Sequence, residues 1–252
     1  MYNDIFSIGP VTIHGYGVMI AIGILAAFFY SERQGKKKGM DTDQVDSMIF
    51  FILILGFLCA KILYLITIFP SFISSPLDYI GNSGFVVYGG ILGGILGCWI
   101  FCQRKGWVFK DVLNMLMPAV SLGQGFGRIG CFLAGCCYGK ETSSWIGVTF
   151  PEGSLAPAGV SLLPTQLFSS LGNFIIFAII YHIYTKGKHP EDTAGWYLIL
   201  YSLGRFVIEF FRGDTIRGFV GPFSTSQCIA IVTFLAGAYL IYRRQKKGEL
   251  SV

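Results

Sequence analysis

Ser47-Met-Ile-Phe-Phe-Ile-Leu-Ile-Leu-Gly-Phe-Leu-Cys-Ala-Lys61-Ile-Leu-Tyr-Leu-Ile-Thr-Ile-Phe69 carries a single charge, Lys61, in an otherwise almost unbroken apolar run. Its apolar residues do not alternate with polar ones, as those of a half-buried strand would. About 20 such residues suffice for a helix to cross the hydrocarbon core of a bilayer. Inside that core every backbone N–H and C=O must be satisfied internally, which leaves helices or a closed barrel. Long continuous runs favour helices.

Six further segments read in the same way: Val11–Tyr30, Gly84–Cys102, Val112–Gly125, Leu162–Tyr184, Ala194–Phe211 and Pro222–Tyr242. All but Val112–Gly125 approach crossing length. They predict an all-α integral membrane protein with about seven transmembrane helices, forming one polytopic domain over residues 1–252. Composition agrees: 53% of the 252 residues are hydrophobic, 13% are charged, and mean hydropathy is +0.62. A soluble domain carries roughly 25% charged residues. The first apolar stretch has no basic residues before it and no small-residue cleavage site after it, so it is expected to be a retained span.

The net charge of +5 does not point to nucleic acid, because the basic residues fall in short connections between spans. Arg33, Lys36, Lys37 and Lys38 follow the first span, and Arg104, Lys105 and Lys110 follow the third. Lys186 and Lys188 follow the fifth, and Arg243, Arg244, Lys246 and Lys247 close the chain. The positive-inside rule then puts the N-terminus outside and the C-terminus in the cytoplasm. That leaves Arg128, Lys140, Arg212 and Arg217 in outer connections, and Lys61 and Arg205 within spans. A charge at the centre of a membrane helix costs about 2.5–3.5 kcal/mol on insertion scales and marks a functional site by default.

Two stretches gather such charges. The first is Gly123-Gln-Gly-Phe-Gly-Arg128-Ile-Gly130-Cys131-Phe-Leu-Ala134-Gly-Cys136-Cys137-Tyr138-Gly139-Lys140. Each interior Gly costs a helix roughly 0.5–1 kcal/mol relative to Ala, so this run is expected to make a poor helix: the fourth span either crosses with help from it or enters and bends, and a re-entrant turn with a snorkelling Arg is the plain reading. Its glycines let a backbone approach a ligand or another backbone. Its arginine offers a fork of donors suited to phosphate or carboxylate. The second stretch is Gly204-Arg205-Phe-Val-Ile-Glu209-Phe-Phe-Arg212-Gly-Asp214. Arg205, Glu209 and Arg212 are spaced i, i+4, i+7, so they are expected to share one helical face, and Glu209 can pair with either arginine. A self-contained ion-pair ladder is the plain alternative, although the odd arginine leaves charge for an anion. Lys61, Arg128, Arg205 and Arg212 together would reach the outer half of the membrane, where a lipid phosphate is the available anion.

Uncharged candidates are Tyr16 at the outer end of the first span, Tyr88 before Gly89-Gly90, and Gln166 at the start of the fifth span. Tyr16 and Tyr88 have a plainer account as interfacial aromatics, while Gln166 is a polar group expected to point into the outer half of the bundle. Residues 141–161 are long enough to form a small lid. Cys131, Cys136 and Cys137 lack zinc-finger spacing and a nearby His, which argues against zinc. An outward position permits a disulfide, and small packing residues are the plain alternative.

Taken in order, several motifs resemble those of the prolipoprotein diacylglyceryl transferase family. They are Tyr16-Gly17, Gly89-Gly90, Gly127-Arg128-Ile-Gly130 with Gly139, Pro164-Thr165-Gln166-Leu167, Gly204-Arg205-Phe with Glu209-Phe-Phe-Arg212, and Ser224-Thr-Ser-Gln227. The resemblance implies an enzyme of the bacterial cytoplasmic membrane, with its site toward the extracytoplasmic side and no cofactor or metal. Its donor would be phosphatidylglycerol and its acceptor the lipobox cysteine of a prolipoprotein signal peptide. A thioether would form and glycerol phosphate would leave. The resemblance implies that Arg205, Glu209 and Tyr16 serve catalysis. It implies that Arg128, Arg212, Tyr88, Gln166, Gly139 and Lys61 bind substrate. The chain departs from the family pattern where Tyr88 stands for histidine, Cys131 and Ala134 for asparagine, Cys136 for glutamate, Ser169 for an acidic residue and Lys61 for arginine. Those departures leave two alternatives: a transferase with another acceptor, or a phospholipid-binding or transport protein that lacks this chemistry.

Overall fold

The computed structural model describes residues 4–8, 11–81, 84–214 and 218–249, so Arg217 lies outside the described residues. The long helices are α1 (Gly15–Lys37), α2 (Thr42–Thr67), α5 (Val87–Lys105), α6 (Phe109–Ala134), α7 (Thr165–Lys186), α8 (Thr193–Glu209) and α9 (Thr225–Glu249). Two short helices, α3 (Phe69–Ser74) and α4 (Pro76–Ile80), lie between α2 and α5. A 3-10 turn (Pro190–Asp192) and three small antiparallel two-stranded pairings complete the described elements: β1 (Asp4–Ile8) with β2 (Val11–His14), β3 (Val148–Thr149) with β4 (Ser161–Leu162), and β5 (Phe219–Val220) with β6 (Phe223–Ser224). The helix-dominated fold is as expected. Helices α1, α2, α7 and α9 are long and apolar enough to cross a membrane.

Three expectations need correction. Val11–His14 is a strand, so the first helix begins only at Gly15. The glycine run does not leave the helix: α6 continues through Gly123, Gly125, Gly127 and Gly130 to Ala134. Tertiary packing outweighs the local cost of these glycines, because neighbouring segments occupy the space their side chains would take. A Cβ at Gly125 would lie 2.7 Å from the Phe174 ring, and one at Gly130 would lie 3.2 Å from Tyr16. Interhelical hydrogen bonds follow from the close approach. Ser170 Oγ donates to the Gly125 carbonyl at 2.8 Å, and Ser121 Oγ donates to the Asn173 carbonyl at 2.9 Å. Finally, α8 ends at Glu209, so Arg212 lies beyond the helix and does not share its face with Arg205 and Glu209.

The described residues form two compact units, residues 1–30 with 114–252, and residues 31–113. In the second, α2 packs on α5 through buried Gly89, Gly93 and Gly97, one helical turn apart. A Cβ at Gly89 would sit 2.4 Å from the Cys59 carbonyl oxygen, so the small residues of α5 serve close helix packing. In the first unit, α8 and α9 touch through Gly195 and Gly237, where a Cβ on Gly237 would lie 2.8 Å from the Gly195 carbonyl. Residues 141–161 share a small core with the residues that flank them. Phe150, Ala156 and Leu162 are buried together, with Phe132, Tyr138 and Val160 against them.

Candidate anion site between α6, α7 and α8

Helix α8 presents Tyr197, Tyr201, Arg205 and Glu209 at four-residue intervals, so all four fall along one stripe. Tyr197 anchors the stripe by donating to Gln124 Oε1 at 3.0 Å. The Tyr201 ring stacks on Tyr197 with centroids 5.6 Å apart, and its hydroxyl is within hydrogen-bonding reach of Arg128 on α6. Arg205 Nη2 meets Glu209 Oε2 at 3.0 Å and donates to Ser226 Oγ at 2.8 Å. The Glu209 side chain is almost wholly buried, at 1% exposure. A carboxylate so deep is stable only beside a counter-charge.

Ser226 owes its position to the first turn of α9. The Ser224 backbone N–H donates to Gln227 Oε1 at 3.0 Å, and the Gln227 N–H donates back to Ser224 Oγ at 3.2 Å. This reciprocal capping box fixes the start of the helix. It aims the residue between the two caps at Arg205.

Arg128, Arg205, Tyr201, Ser169, Asn173 and Gly204 line part of a cavity of about 80 Å³ between α6, α7 and α8. Asn173 Nδ2 donates to the Ser169 carbonyl at 2.7 Å, while its buried Oδ1 has no partner among the described residues. Tyr201, Asn173 and Ser226 were not singled out from the sequence. The four-residue spacing of the α8 stripe was the signal for Tyr201, and the S-x-x-Q box was the signal for Ser226.

Arg212 is held differently. Its Nε donates to Asp214 Oδ1 at 2.9 Å, and its Nη2 pairs with Asp214 Oδ2. Its backbone bridges Gly139. Around that bridge, Gly139 N donates to the Leu163 carbonyl at 2.8 Å, and Leu163 N donates to the Lys140 carbonyl at 3.0 Å. Lys140 N donates to the Phe211 carbonyl at 2.8 Å, and Gly213 N donates to the Tyr138 carbonyl at 3.1 Å. A Cβ at Gly139 would stand 2.6 Å from both Leu163 Cβ and the Leu163 carbonyl oxygen, so glycine is needed for this stitch. Gln166 is buried at 1% exposure, with Nε2 donating to the Cys136 carbonyl at 2.8 Å. Its Oε1 has no partner among the described residues.

Three of the four expected cations therefore belong to one unit, and their carboxylates are Glu209 and Asp214. Among the described residues, three guanidiniums stand against two carboxylates, one positive charge in excess. Among the described residues Arg128 forms no ion pair; its electrostatic neighbours are the Tyr201 hydroxyl and the thiols of Cys131 and Cys137. Tyr16, half-exposed at 43%, packs on Gly130 and lies within the field of Arg128.

Lys61 and Tyr88 lie in the other unit. Lys61 Nζ donates to the Gly84 carbonyl at 3.4 Å and sits 5.1 Å and 5.2 Å from the Tyr64 and Phe85 ring centroids. Tyr88, in the first turn of α5, is 45% exposed.

The cysteines fall where α6 stops. Gly135, at φ 74°, ends the helix. Its N–H donates to the Phe132 carbonyl at 3.2 Å, and the Cys136 N–H donates to the Cys131 carbonyl at 3.1 Å. This is a Schellman cap, and it folds Cys136 back over Cys131. The sulfurs of Cys131, Cys136 and Cys137 lie within 4.8 Å of one another as free thiols. Hydrogen bonds from Cys131 and Cys136 hold the Cys137 thiol below the usual range; burial opposes them, and Arg212 and Arg128 add to them.

The family model described as "Prolipoprotein diacylglyceryl transferase" matches residues 3–243. A Clostridium tetani protein named "Phosphatidylglycerol--prolipoprotein diacylglyceryl transferase" is 41% identical over 94% of this chain and 95% of its own length. A Clostridium perfringens protein with the same name and the suffix 2 is 42% identical, covering 94% and 93% of the two chains. A Staphylococcus haemolyticus protein of that name is 32% identical, covering 96% and 88%.

Proposed function

The chain belongs to the prolipoprotein diacylglyceryl transferase family, and from this premise we propose that it transfers the diacylglyceryl group of phosphatidylglycerol to a prolipoprotein. The acceptor is the thiol of the lipobox cysteine in the signal peptide. Its S–H bond breaks, a C–S bond forms at the glyceryl carbon, and the C–O bond to phosphate breaks. Glycerol phosphate leaves with that electron pair, and its second negative charge balances the proton lost by the thiol. Such a leaving group is stabilised by donors already aimed where the charge develops.

The observation that carries this reading is Arg128 beside a cavity shared with Arg205, with guanidiniums outnumbering carboxylates among the described residues. A phosphate supplies the missing anion, and a guanidinium fork suits its oxygens. In this account Arg128 grips the phosphate. Glu209 fixes Arg205 beside it, and Arg212 with Asp214 borders the site. Tyr16 orients the headgroup, Gln166 holds the loop after α6, and Gly139 allows the backbone stitch. The seven long helices cross the bacterial cytoplasmic membrane with the N-terminus outside, and the site faces the extracytoplasmic leaflet.

The test is an in vitro assay with labelled phosphatidylglycerol and a lipobox peptide. The wild-type protein is expected to put lipid on the peptide and release glycerol phosphate, and Arg128→Ala to do neither. Lys61→Ala and Tyr88→Phe measure separately what the other unit contributes. Glycerol phosphate release without lipidated peptide would mean another acceptor. Bound lipid without turnover would mean a lipid-binding protein.

A further inference from the structure

We propose that Cys131, Cys136 and Cys137 form a three-sulfur site for a soft monovalent d10 cation of the Cu(I) class. Their three sulfurs already lie within 4.8 Å of one another and all three residues are partly exposed. Metal–thiolate bonds of about 2.3 Å place the sulfurs of one site about 4 Å apart, so closure needs a shift of less than about 1 Å.

The backbone arrangement is held from several sides. The Schellman cap at Gly135 returns Cys136 to Cys131. Cys137 is the one non-glycine residue among the described residues with positive φ, at 60°. Such a conformation persists only where its surroundings enforce it. The first turn of α7 does so: Thr165 Oγ1 donates to the Cys137 carbonyl at 2.9 Å, and Gln166 Nε2 donates to the Cys136 carbonyl at 2.8 Å. Both carbonyls are thus engaged, and the Cys136 thiol, whose Sγ donates to the Cys131 carbonyl at 3.6 Å, gives up that hydrogen when a metal binds.

The ligand set selects the ion. Thiolates favour soft cations. No His, Asp, Glu or fourth Cys joins the group among the described residues, whereas structural zinc takes four ligands. Three coordination positions suit Cu(I). On binding, three S–H bonds break, three protons pass to solvent and three metal–sulfur bonds form, with no change of oxidation state. The complex carries two negative charges and lies within the fields of Arg128 and Arg212.

The experiment uses the full chain in detergent, reduced and under anaerobic conditions, with Cu(I) titrated against a chromogenic Cu(I) chelator. We expect one Cu(I) per chain in wild type and none held at that affinity by the Cys131→Ser, Cys136→Ser, Cys137→Ser triple variant. The other cysteines, Cys59, Cys98, Cys102 and Cys228, remain in that variant as an internal control. X-ray absorption at the copper edge of the loaded wild type should show three sulfur neighbours, which tests the site even if the triple variant fails to fold. Equal copper uptake by the triple variant would overturn the proposal, as would no uptake by wild type. A disulfide among the three in the protein as isolated, or tetrahedral Zn(II) binding in preference to Cu(I), would also overturn it.

Discussion

The two ends of α8 both pair arginine with carboxylate, and they differ in how the charges balance. At the Thr193 end, Arg244 from α9 meets Asp192 with Nε at 3.0 Å and Nη2 at 2.7 Å. His189 lies 3.1 Å from Arg244 Nη1, and Glu191 lies 3.9 Å from it. One arginine faces two carboxylates there, in a closed fork that ties α9 to the start of α8. At the Glu209 end, Arg205 and Arg128 line a cavity, and among the described residues Arg205, Arg212 and Arg128 stand against two carboxylates, Glu209 and Asp214. On the proposed function, similar chemistry makes a staple where acid is in excess and a receptor where, among the described residues, base is in excess. The presence of an ion pair says little about function; the count of charges around it says more.

If that contrast is right, Arg128→Ala should have the largest effect. Losing one preorganised donor to a developing anion costs about 10²–10³ in turnover. Thermal unfolding should change little, because among the described residues Arg128 holds no carboxylate in place. A variant that unfolds early and keeps its turnover per folded molecule would make Arg128 a structural residue. At the opposite end, Asp192→Ala should cost about 3 kcal/mol of stability, the low end for breaking a buried pair, since Arg244 keeps some water. Headgroup binding per folded molecule should survive. If Asp192→Ala instead lost lipid binding at full stability, the two ends would not be separable.

Gly139→Ala should cost about 2 kcal/mol by overpacking against Leu163, with stability and turnover falling together. Loss of turnover alone would identify Gly139 as a ligand contact instead. The smallest effect should come from Ser226→Ala, which removes one donor–acceptor contact from Arg205 and so costs about 1 kcal/mol. Phosphatidylglycerol affinity in detergent should show it as a modest weakening.

Much of this was legible in the residues. Continuous apolar runs placed the long helices, and the spacing of Arg205 and Glu209 announced their contact. Helix bounds failed where distant partners set them. The glycines of α6 look like a break until Phe174 and Tyr16 are seen occupying the missing side-chain volume. Arg212 looks helical until the backbones of Tyr138 and Gly139 are found beside the segment that carries it. The cysteine trio was hidden for the same reason: sequence spacing does not reveal that a left-handed Gly135 and the first turn of α7 draw Cys136 and Cys137 to Cys131. Charge was easier to read than position, since a lone cation in an apolar run is conspicuous and an uncharged Ser226 or Tyr201 is not.

The junction at Gly139 is made of main-chain groups: the amides and carbonyls of Tyr138 to Lys140, Leu163, and Phe211 to Gly213. Such a frame does not depend on the side chains it displays, apart from the two glycines that let its strands touch. The positions around it can therefore exchange thiol, amide or acid groups while the geometry of the surrounding segments stays put. One scaffold can thus be refitted with new chemistry by changing a few residues, with no need to rebuild the bundle.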